Sequence, residues 1–126
     1  DTEPAVLERM HAALLQLVEE QNRTGGCEIV VKQRSASTPA VMDESLQSAL
    51  ERAAERHVPG KHRRMPSAAG HDAQYLARQM PAAMLFVPSI GGISHHWSED
   101  TREEDIVLGA RVFTDAIADV LTEKSR

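Results

Sequence analysis

The sequence predicts an α/β protein. Its closing half contains an apolar run of strand length, a glycine-containing loop and an amphipathic helix, in that order along the chain. Residues 82–87 are continuously apolar, which favours a strand covered on both faces. The last helix repeats apolar residues at steps of three and four, which is typical of a helix with one buried face.

A helix and a strand are predicted at the start of the chain. Pro4 suits the first turn of a helix, and apolar residues then recur at helical spacing, so we expect a helix over about 4–21. Gly25 ends it, and the β-branched residues of 27–32 predict a strand. Cys27 is the single cysteine of the chain, and its apolar neighbours predict a packed small side chain rather than a catalytic thiol.

The middle of the chain is predicted to hold a boundary and two helices. Residues 35–39 are small, polar and proline-ended, which is typical of a domain boundary. Asp43 is a good cap for a helix that ends before Pro59. Residues 61–65 favour a short edge strand, and 72–79 a short helix.

The last helix follows a loop that begins after Val87. Thr101 and Glu104 have the spacing of a capping box, in which each side chain bonds a backbone N–H of the other residue. We therefore expect the closing helix to begin at Thr101.

Composition excludes several classes of protein. The chain has 126 residues, about one ordinary domain, and a formal net charge of −5 with acidic and basic residues interspersed. No concentrated cationic face is available for phosphate backbones, so a nucleic-acid partner is not expected. No apolar stretch approaches the roughly 20 residues of a membrane span, and no secretory pattern opens the chain. We expect no membrane partner and a cytoplasmic location.

Two histidines lie in the loop after Val87, at a position where α/β sheets gather ligands. His95 and His96 are neighbours, so in an extended segment they point to opposite sides and only one is expected to enter a site. Gly91 and Gly92 permit unusual backbone angles. A loop histidine is nevertheless more often solvated than a ligand, and the residues alone leave both readings open.

A second candidate lies at residues 70–73, where a short helix is expected to begin. His71 is placed to donate a hydrogen bond to a substrate carboxylate or oxyanion near the free backbone donors of the helix. In the alternative interpretation, Asp72 caps the helix and His71 is a surface residue. The remaining histidines have no acidic or thiol partner at ligand spacing and are predicted to be surface residues: His11, His57 and His62.

Three segments, 65–73, 81–89 and 91–99, together resemble the hydantoinase/carbamoylase family. Its members include N-carbamoyl-L-amino-acid hydrolases, allantoate amidohydrolase and β-ureidopropionase, within the aminoacylase/carboxypeptidase superfamily of dinuclear metallohydrolases. The resemblance extends along the chain in order. One departure is Ala68, where the family usually has glycine, and it puts the conformation of that loop in question.

The resemblance implies a site. His95, not His96, would be a ligand of one of two divalent ions, zinc or manganese, and Gly70 and His71 would contact the substrate. Glu99 matches a family position, and the hypothesis for it is that it either bonds to a metal ligand or fixes the loop. The substrate would be a small molecule that is cleaved at a carbamoyl or ureido C–N bond. Most of the family's ligands and its glutamate base precede this region, so no catalytic residue is assigned here and the isolated chain is expected to be inactive.

The resemblance also implies an architecture. Residues 1–38 would be the last helix and strand of an α+β lid or dimerisation domain. Residues 39–126 would be the C-terminal part of a zinc-aminopeptidase-like α/β catalytic domain. Exposed sheet edge predicts association, either as a homo-oligomer or with a missing N-terminal part. Two other readings stay open: an aminoacylase or dipeptidase of the same superfamily, and a non-catalytic interaction module.

Overall fold

The structure, a computed structural model, describes residues 3–123 and contains two compact units. The first unit ends at Ala40 and the second begins at Val41. The elements in chain order are α1 (Pro4–Thr24), α2 (Glu44–His57), α3 (Asp72–Leu76), a 3-10 turn (Ile90–Gly92) and α4 (Glu103–Glu123). The assignment of 1–38 to a lid and of 39–126 to a catalytic domain stays a prediction, and positions 1, 2 and 124–126 lie outside the described residues.

None of the helices within residues 3–123 has the length and apolar character that crossing a membrane requires.

Helix α1 ends at Gly25, a position that has no room for a side chain. The N–H of Gly25 donates to the carbonyl oxygen of Gln21 at 2.6 Å, and a Cβ on Gly25 would also lie 2.6 Å from that oxygen. Any side chain would therefore force the two apart. Glycine as the stop signal is confirmed, although the helix continues to Thr24, three residues beyond the predicted end.

The segment after α1 does not form the strand predicted over 27–32. The Asn22 side chain donates to the Ile29 carbonyl oxygen at 2.9 Å and accepts from the Ile29 N–H at 2.7 Å, as a neighbouring strand would. This pairs one residue only, whereas a strand needs a ladder of such bonds. Cys27 is exposed, so the prediction of a packed thiol was wrong. None of the described residues of this unit is buried.

The core of the second unit is the contact between α2 and α4. All five buried residues of the described chain lie in it, and four are alanines: Ala49, Ala53, Ala54, Val112 and Ala116. Such short side chains let two helices approach closely, because axial distance follows the size of the side chains at the contact. The apolar side predicted for α2 is confirmed at its alanines.

Pairs of oppositely charged or titratable side chains flank this contact and show how α2 and α4 are oriented. The pairs are Arg52 with Glu123 at 2.6 Å, Arg56 with Asp119 at 3.0 Å and His57 with Asp115 at 2.9 Å. Residue numbers rise on α2 as they fall on α4, so the helices are antiparallel. The prediction of His57 as a surface residue was wrong, because it is partly buried and contacts Asp115, 58 positions away and beyond any local spacing.

Helix caps agree with the sequence at α2 and differ at α4. The Asp43 side chain accepts from the Leu46 N–H at 2.9 Å, which confirms the predicted cap. At α4 the first helical bond runs from the Ile106 N–H to the Arg102 carbonyl oxygen, so Arg102 occupies the cap position. The predicted capping box at Thr101 was wrong by one residue, and the Thr101 N–H bonds the Asp100 side chain instead.

The segments 61–65 and 82–87 were predicted as strands, and neither is one in the structure. Residues 82–87 still pack on the helices: a Cβ on Gly109 of α4 would lie 2.5 Å from Val87 Cγ1. The two segments form no ladder with each other, and a strand exists only where a neighbour completes its hydrogen bonds. Residues 3–123 therefore contain helices without strands, and the α/β class is not confirmed within them.

An arginine attaches segment 61–65 to α2. Arg64 Nη1 donates to both carboxylate oxygens of Glu44, at 2.8 and 2.7 Å, and Nη2 donates to Glu51 at 3.0 Å. The bonds from Arg64, together with one from Ser48, hold the pKa of the Glu44 carboxyl below its ordinary value. The bonds to Glu44 and Glu51 raise the pKa of Arg64. Because Gly70 follows six residues after Arg64, this clamp anchors the approach to the loop that carries Gly70.

The α2–α4 contact predicts the effect of a larger side chain. Ala53 is 0% exposed, so Ala53→Leu forces extra methylenes into a closed contact and should lower the free energy of unfolding by about 1–3 kcal/mol. Urea unfolding followed by helical circular dichroism measures this. Ala118→Leu is the control, because Ala118 is exposed on α4. Equal losses in the two variants would show that the contact is not tightly packed.

The Arg64 clamp predicts a pH dependence. The pKa of Glu44 is lowered from 4.5, so its contribution to stability is present above that value and is lost as the pH falls through the lowered pKa. Glu44→Gln should be less stable than the wild type near neutral pH, and the gap should close in acid. Unfolding free energies across that pH range measure it, with Glu28→Gln in the first unit as control. A gap that persists in acid would contradict the ionic origin.

Candidate functional site

The sequence-predicted site residues lie in two loops of the second unit. One loop leads from segment 61–65 to α3 and carries Gly70 and His71, and the other runs from the 3-10 turn to α4 and carries His95. The second loop is closed at its base by a bond from the Ile90 N–H to the Asp100 carbonyl oxygen at 2.8 Å. The ends of this loop are therefore held together across ten residues.

The glycines of the second loop adopt the conformations expected of them. Gly91 and Gly92 have φ of 67° and 69°, in the left-handed region that glycine enters without steric cost. His95 has φ of 55° and is the one non-glycine residue with positive φ among residues 3–123. For a residue with a Cβ this conformation is unfavourable and needs support from its surroundings.

Glu99 provides that support. Its Oε2 accepts a hydrogen bond from the His95 backbone N–H at 2.7 Å, which agrees with the loop-fixing hypothesis for this glutamate. His95 itself is exposed, and no hydrogen bond of its imidazole occurs within the described part of the chain. The backbone of His95 is thus held while its ring nitrogens stay available.

His96 is engaged locally instead. Its Nδ1 accepts from the Ser98 backbone N–H at 3.2 Å and lies 2.7 Å from the Ser98 hydroxyl. The ring also contacts Trp97, with centroids 5.4 Å apart. Of the two neighbouring histidines, His95 is the one with both ring nitrogens unoccupied.

His71 is held by an aromatic contact. It occupies the cap position of α3 without a side-chain cap bond, and its ring meets Phe86 edge-on with centroids 5.6 Å apart. Phe86 was not singled out from the sequence, since its place in an apolar run indicated only core. Asp72 is the first helical residue and not the cap, so the alternative in which Asp72 caps the helix was wrong.

Helix α3 is shorter than predicted, and Gly70 before it is open. The helix covers Asp72–Leu76 rather than 72–79, and turns continue the chain to Met80. So short a helix has a small dipole, so the helix offers an anion less support than the sequence indicated. Gly70 is exposed, and a Cβ there would meet no atom within 4 Å.

The other two histidines differ from each other. His11 is exposed on α1, as predicted. His62 is half-buried, and its Nδ1 makes no hydrogen bond although Glu55 Oε2 is 3.4 Å away. The prediction of His62 as a surface residue was wrong, because segment 61–65 packs beside α2.

No three potential metal ligands from histidine, cysteine, aspartate and glutamate come together in residues 3–123. A zinc site uses three or four protein ligands, so His95 fits a divalent ion as one donor among several and not as a complete site. Its exposed imidazole, without a competing hydrogen bond, is compatible with that single-donor part.

A groove of about 790 Å³ lies elsewhere in the second unit, between α2, α4 and segments 61–65 and 84–88. Its walls include Leu50, Leu108 and Val112. Gly70, His71 and His95 do not line it, although Phe86, which contacts the His71 ring, does.

Sequence comparison places these loops in a known family. Residues 3–119 match the Peptidase family M20/M25/M40. The chain belongs to this family. The match includes both loops, so Gly70, His71 and His95 all fall within the M20/M25/M40 region.

Relatives within the M20/M25/M40 family refine the comparison. Allantoate amidohydrolase of Bacillus subtilis (strain 168) is 38% identical over 113 residues, which are 89% of this chain and 27% of that protein. N-carbamoyl-L-amino-acid amidohydrolase of Rhizobium meliloti is 35% identical over 79 residues, covering 63% of this chain and 19% of that protein. The chain spans about a fifth to a quarter of the length of these relatives.

A solved structure is also similar. An amidase of the hydantoinase/carbamoylase family from Burkholderia phymatum superposes with a TM-score of 0.82 at 41% identity, over 95% of this chain and 28% of that chain. The resemblance to the hydantoinase/carbamoylase family is thereby confirmed, and the chain has the fold of the corresponding part of that amidase.

Proposed function

We propose that this chain is a segment of a metal-dependent amidohydrolase that hydrolyses the carbamoyl or ureido C–N bond of small molecules. The observation that carries the proposal is the 38% identity to allantoate amidohydrolase across a region that includes both histidine loops. Chemistry of this class needs a polarised carbonyl and a nucleophilic water. In this proposal, His71 polarises the carbonyl and His95 helps to bind the ions that make the water nucleophilic.

The proposed role of His95 is to bind one of two divalent ions, zinc or manganese. Neutral imidazole is a common ligand for such ions. When bound, the ions would supply Lewis-acid chemistry that makes water nucleophilic at neutral pH. The remaining ligands would come from parts of the enzyme beyond this chain, which spans 27% of the Bacillus relative. Unoccupied ring nitrogens on an exposed, backbone-anchored histidine support the assignment.

The proposed role of His71 is to donate a hydrogen bond to the scissile carbonyl oxygen as it gains negative charge. Donors that are already oriented stabilise such charge without rearrangement. The edge contact with Phe86 at 5.6 Å restrains the ring, and its nitrogens point to no hydrogen-bond partner within residues 3–123. Gly70 lacks a side chain, and the open space at its Cα would accommodate a substrate beside His71.

In the proposed architecture, segments 61–65 and 82–87 are strands of an α/β catalytic domain formed by residues 39–126 and the rest of the enzyme. Their backbone hydrogen bonds would be completed by strands outside this chain. Residues 1–38 would belong to a lid or dimerisation domain. The two units of the structure, divided at Ala40 and Val41, are compatible with this division.

The first unit is proposed to associate with another protein surface. Helix α1 has exposed apolar side chains and no buried residue: Met10 is 62% exposed and Leu17 is 54% exposed. Apolar surface of this kind is usually covered by a partner. A second copy of the chain or the N-terminal part of the same enzyme would cover it.

An aminoacylase or dipeptidase is the second candidate. The family is named for peptidases, and such enzymes cleave amide rather than ureido bonds. The same two histidine loops would serve either reaction, since both pass through a charged carbonyl oxygen.

A substrate panel on the complete enzyme tests the proposed function. Allantoate and N-carbamoyl amino acids should be hydrolysed with release of ammonia, and their kcat/KM should exceed those of N-acyl amino acids and dipeptides. Chelation should abolish the activity, and Zn²⁺ or Mn²⁺ should restore it. Higher kcat/KM on acyl or dipeptide substrates would favour the second candidate.

The proposed role of His71 predicts a loss in kcat. In the complete enzyme, His71→Ala should lower kcat by roughly 10²–10³-fold, the usual cost of one oxyanion donor, with a smaller effect on KM. Steady-state kinetics measure the split between the two constants. His11→Ala, an exposed histidine on α1, is the control and should have wild-type kinetics. A loss confined to KM would assign His71 to binding alone.

A further inference from the structure

The contact between Glu99 and His95 combines two unusual features. The bond from the His95 N–H to Glu99 Oε2 is 2.7 Å long, at the short end for an N–H donor and typical of a bond to a charged carboxylate. The same His95 is the one residue with a Cβ and positive φ within residues 3–123. The Glu99 carboxylate thus accepts from the backbone of His95, a residue in a rarely adopted conformation.

Glu99 is itself fixed. Its own N–H donates to the His96 carbonyl oxygen at 2.9 Å, and the neighbouring Asp100 carbonyl oxygen accepts from the Ile90 N–H at 2.8 Å. The carboxylate therefore reaches back from an anchored turn to a point four residues earlier. Rare backbone conformations persist when surrounding bonds determine them in this way.

We propose that Glu99 is the positioning residue for His95 as a metal ligand, an inference that rests on the proposed function. By holding φ of His95 at 55°, the carboxylate sets the direction of the Cα–Cβ bond and so the place of the imidazole. Without it, residue 95 relaxes toward the extended or right-handed region, where its Cβ points elsewhere. Binding of the ion would then have to restore the left-handed conformation of His95, and the affinity for the ion would fall because of that cost.

This role predicts a loss of metal affinity. Removal of a group that orients a metal ligand costs typically 10–100-fold in affinity, so Glu99→Ala should raise the Kd of the complete enzyme for Zn²⁺ by about that factor. Glu99→Gln keeps an acceptor oxygen and should retain most of the affinity. Competition with a chromogenic chelator measures Kd in the absence of substrate. Glu103→Ala, which removes an exposed carboxylate four positions further on, is the matched control and should leave Kd unchanged.

Two outcomes would overturn the proposal. If Glu99→Gln weakens Zn²⁺ as much as Glu99→Ala, the effect arises from negative charge near the ion and not from the hydrogen bond. If Glu99→Ala leaves Kd unchanged while the His95 amide exchanges with solvent faster, the bond is structural only. Amide exchange at His95 also shows whether each variant has lost the bond in an otherwise folded protein, because other protected amides report the fold.

His95→Ala separates this proposal from the proposed function. If His95→Ala loses zinc while Glu99→Ala keeps an unchanged Kd, the positioning role of Glu99 is rejected and the ligand role of His95 stands. Unchanged zinc affinity in His95→Ala rejects His95 as a ligand. His96→Ala is the control for both, because His96 bonds Ser98 and should not affect Kd.

Discussion

The close packing of α2 against α4 is the constraint on which the second unit depends. The five buried residues of the described chain all lie in this contact, and most are alanines, so the two helices meet along short side chains. Both loops are attached to this pair. Arg64 ties the approach to Gly70 onto α2, and Val87 lies against Gly109 of α4 just before the loop of His95. A shift between the helices would move the two loops relative to each other.

Within this frame, each candidate residue is held by one local contact. His71 is restrained at its ring by Phe86, whereas His95 is restrained at its backbone by Glu99. The two arrangements suit different tasks, since a hydrogen-bond donor must aim its ring and a metal ligand must place its ring in space. In neither case are the ring nitrogens used by the contact that holds the residue.

The absence of strands from residues 3–123 has a simple physical meaning. Helices close their hydrogen bonds within themselves, so α2 and α4 form with their partners already in the chain. Strands close theirs with neighbours, and segments 61–65 and 82–87 have no neighbour of that kind within the described residues. Their apolar character is still expressed, because residues 84–88 line the groove between α2 and α4. In segments 61–65 and 82–87, strand-like composition thus accompanies packing beside the helices although no ladder forms.

The sequence by itself determined the local features. The cap at Asp43, the glycine stop after α1, the glycine-bearing loop and the family motifs were all predicted, because each depends on residues a few positions apart. Only the tertiary structure decided the pairing of His57 with Asp115, the clamp of Arg64 on Glu44 and Glu51 and the exposure of Cys27. It also decided the backbone of His95, which is left-handed and whose N–H donates to the Glu99 carboxylate. These features join residues whose approach depends on how the chain turns, which no pattern of residue types records.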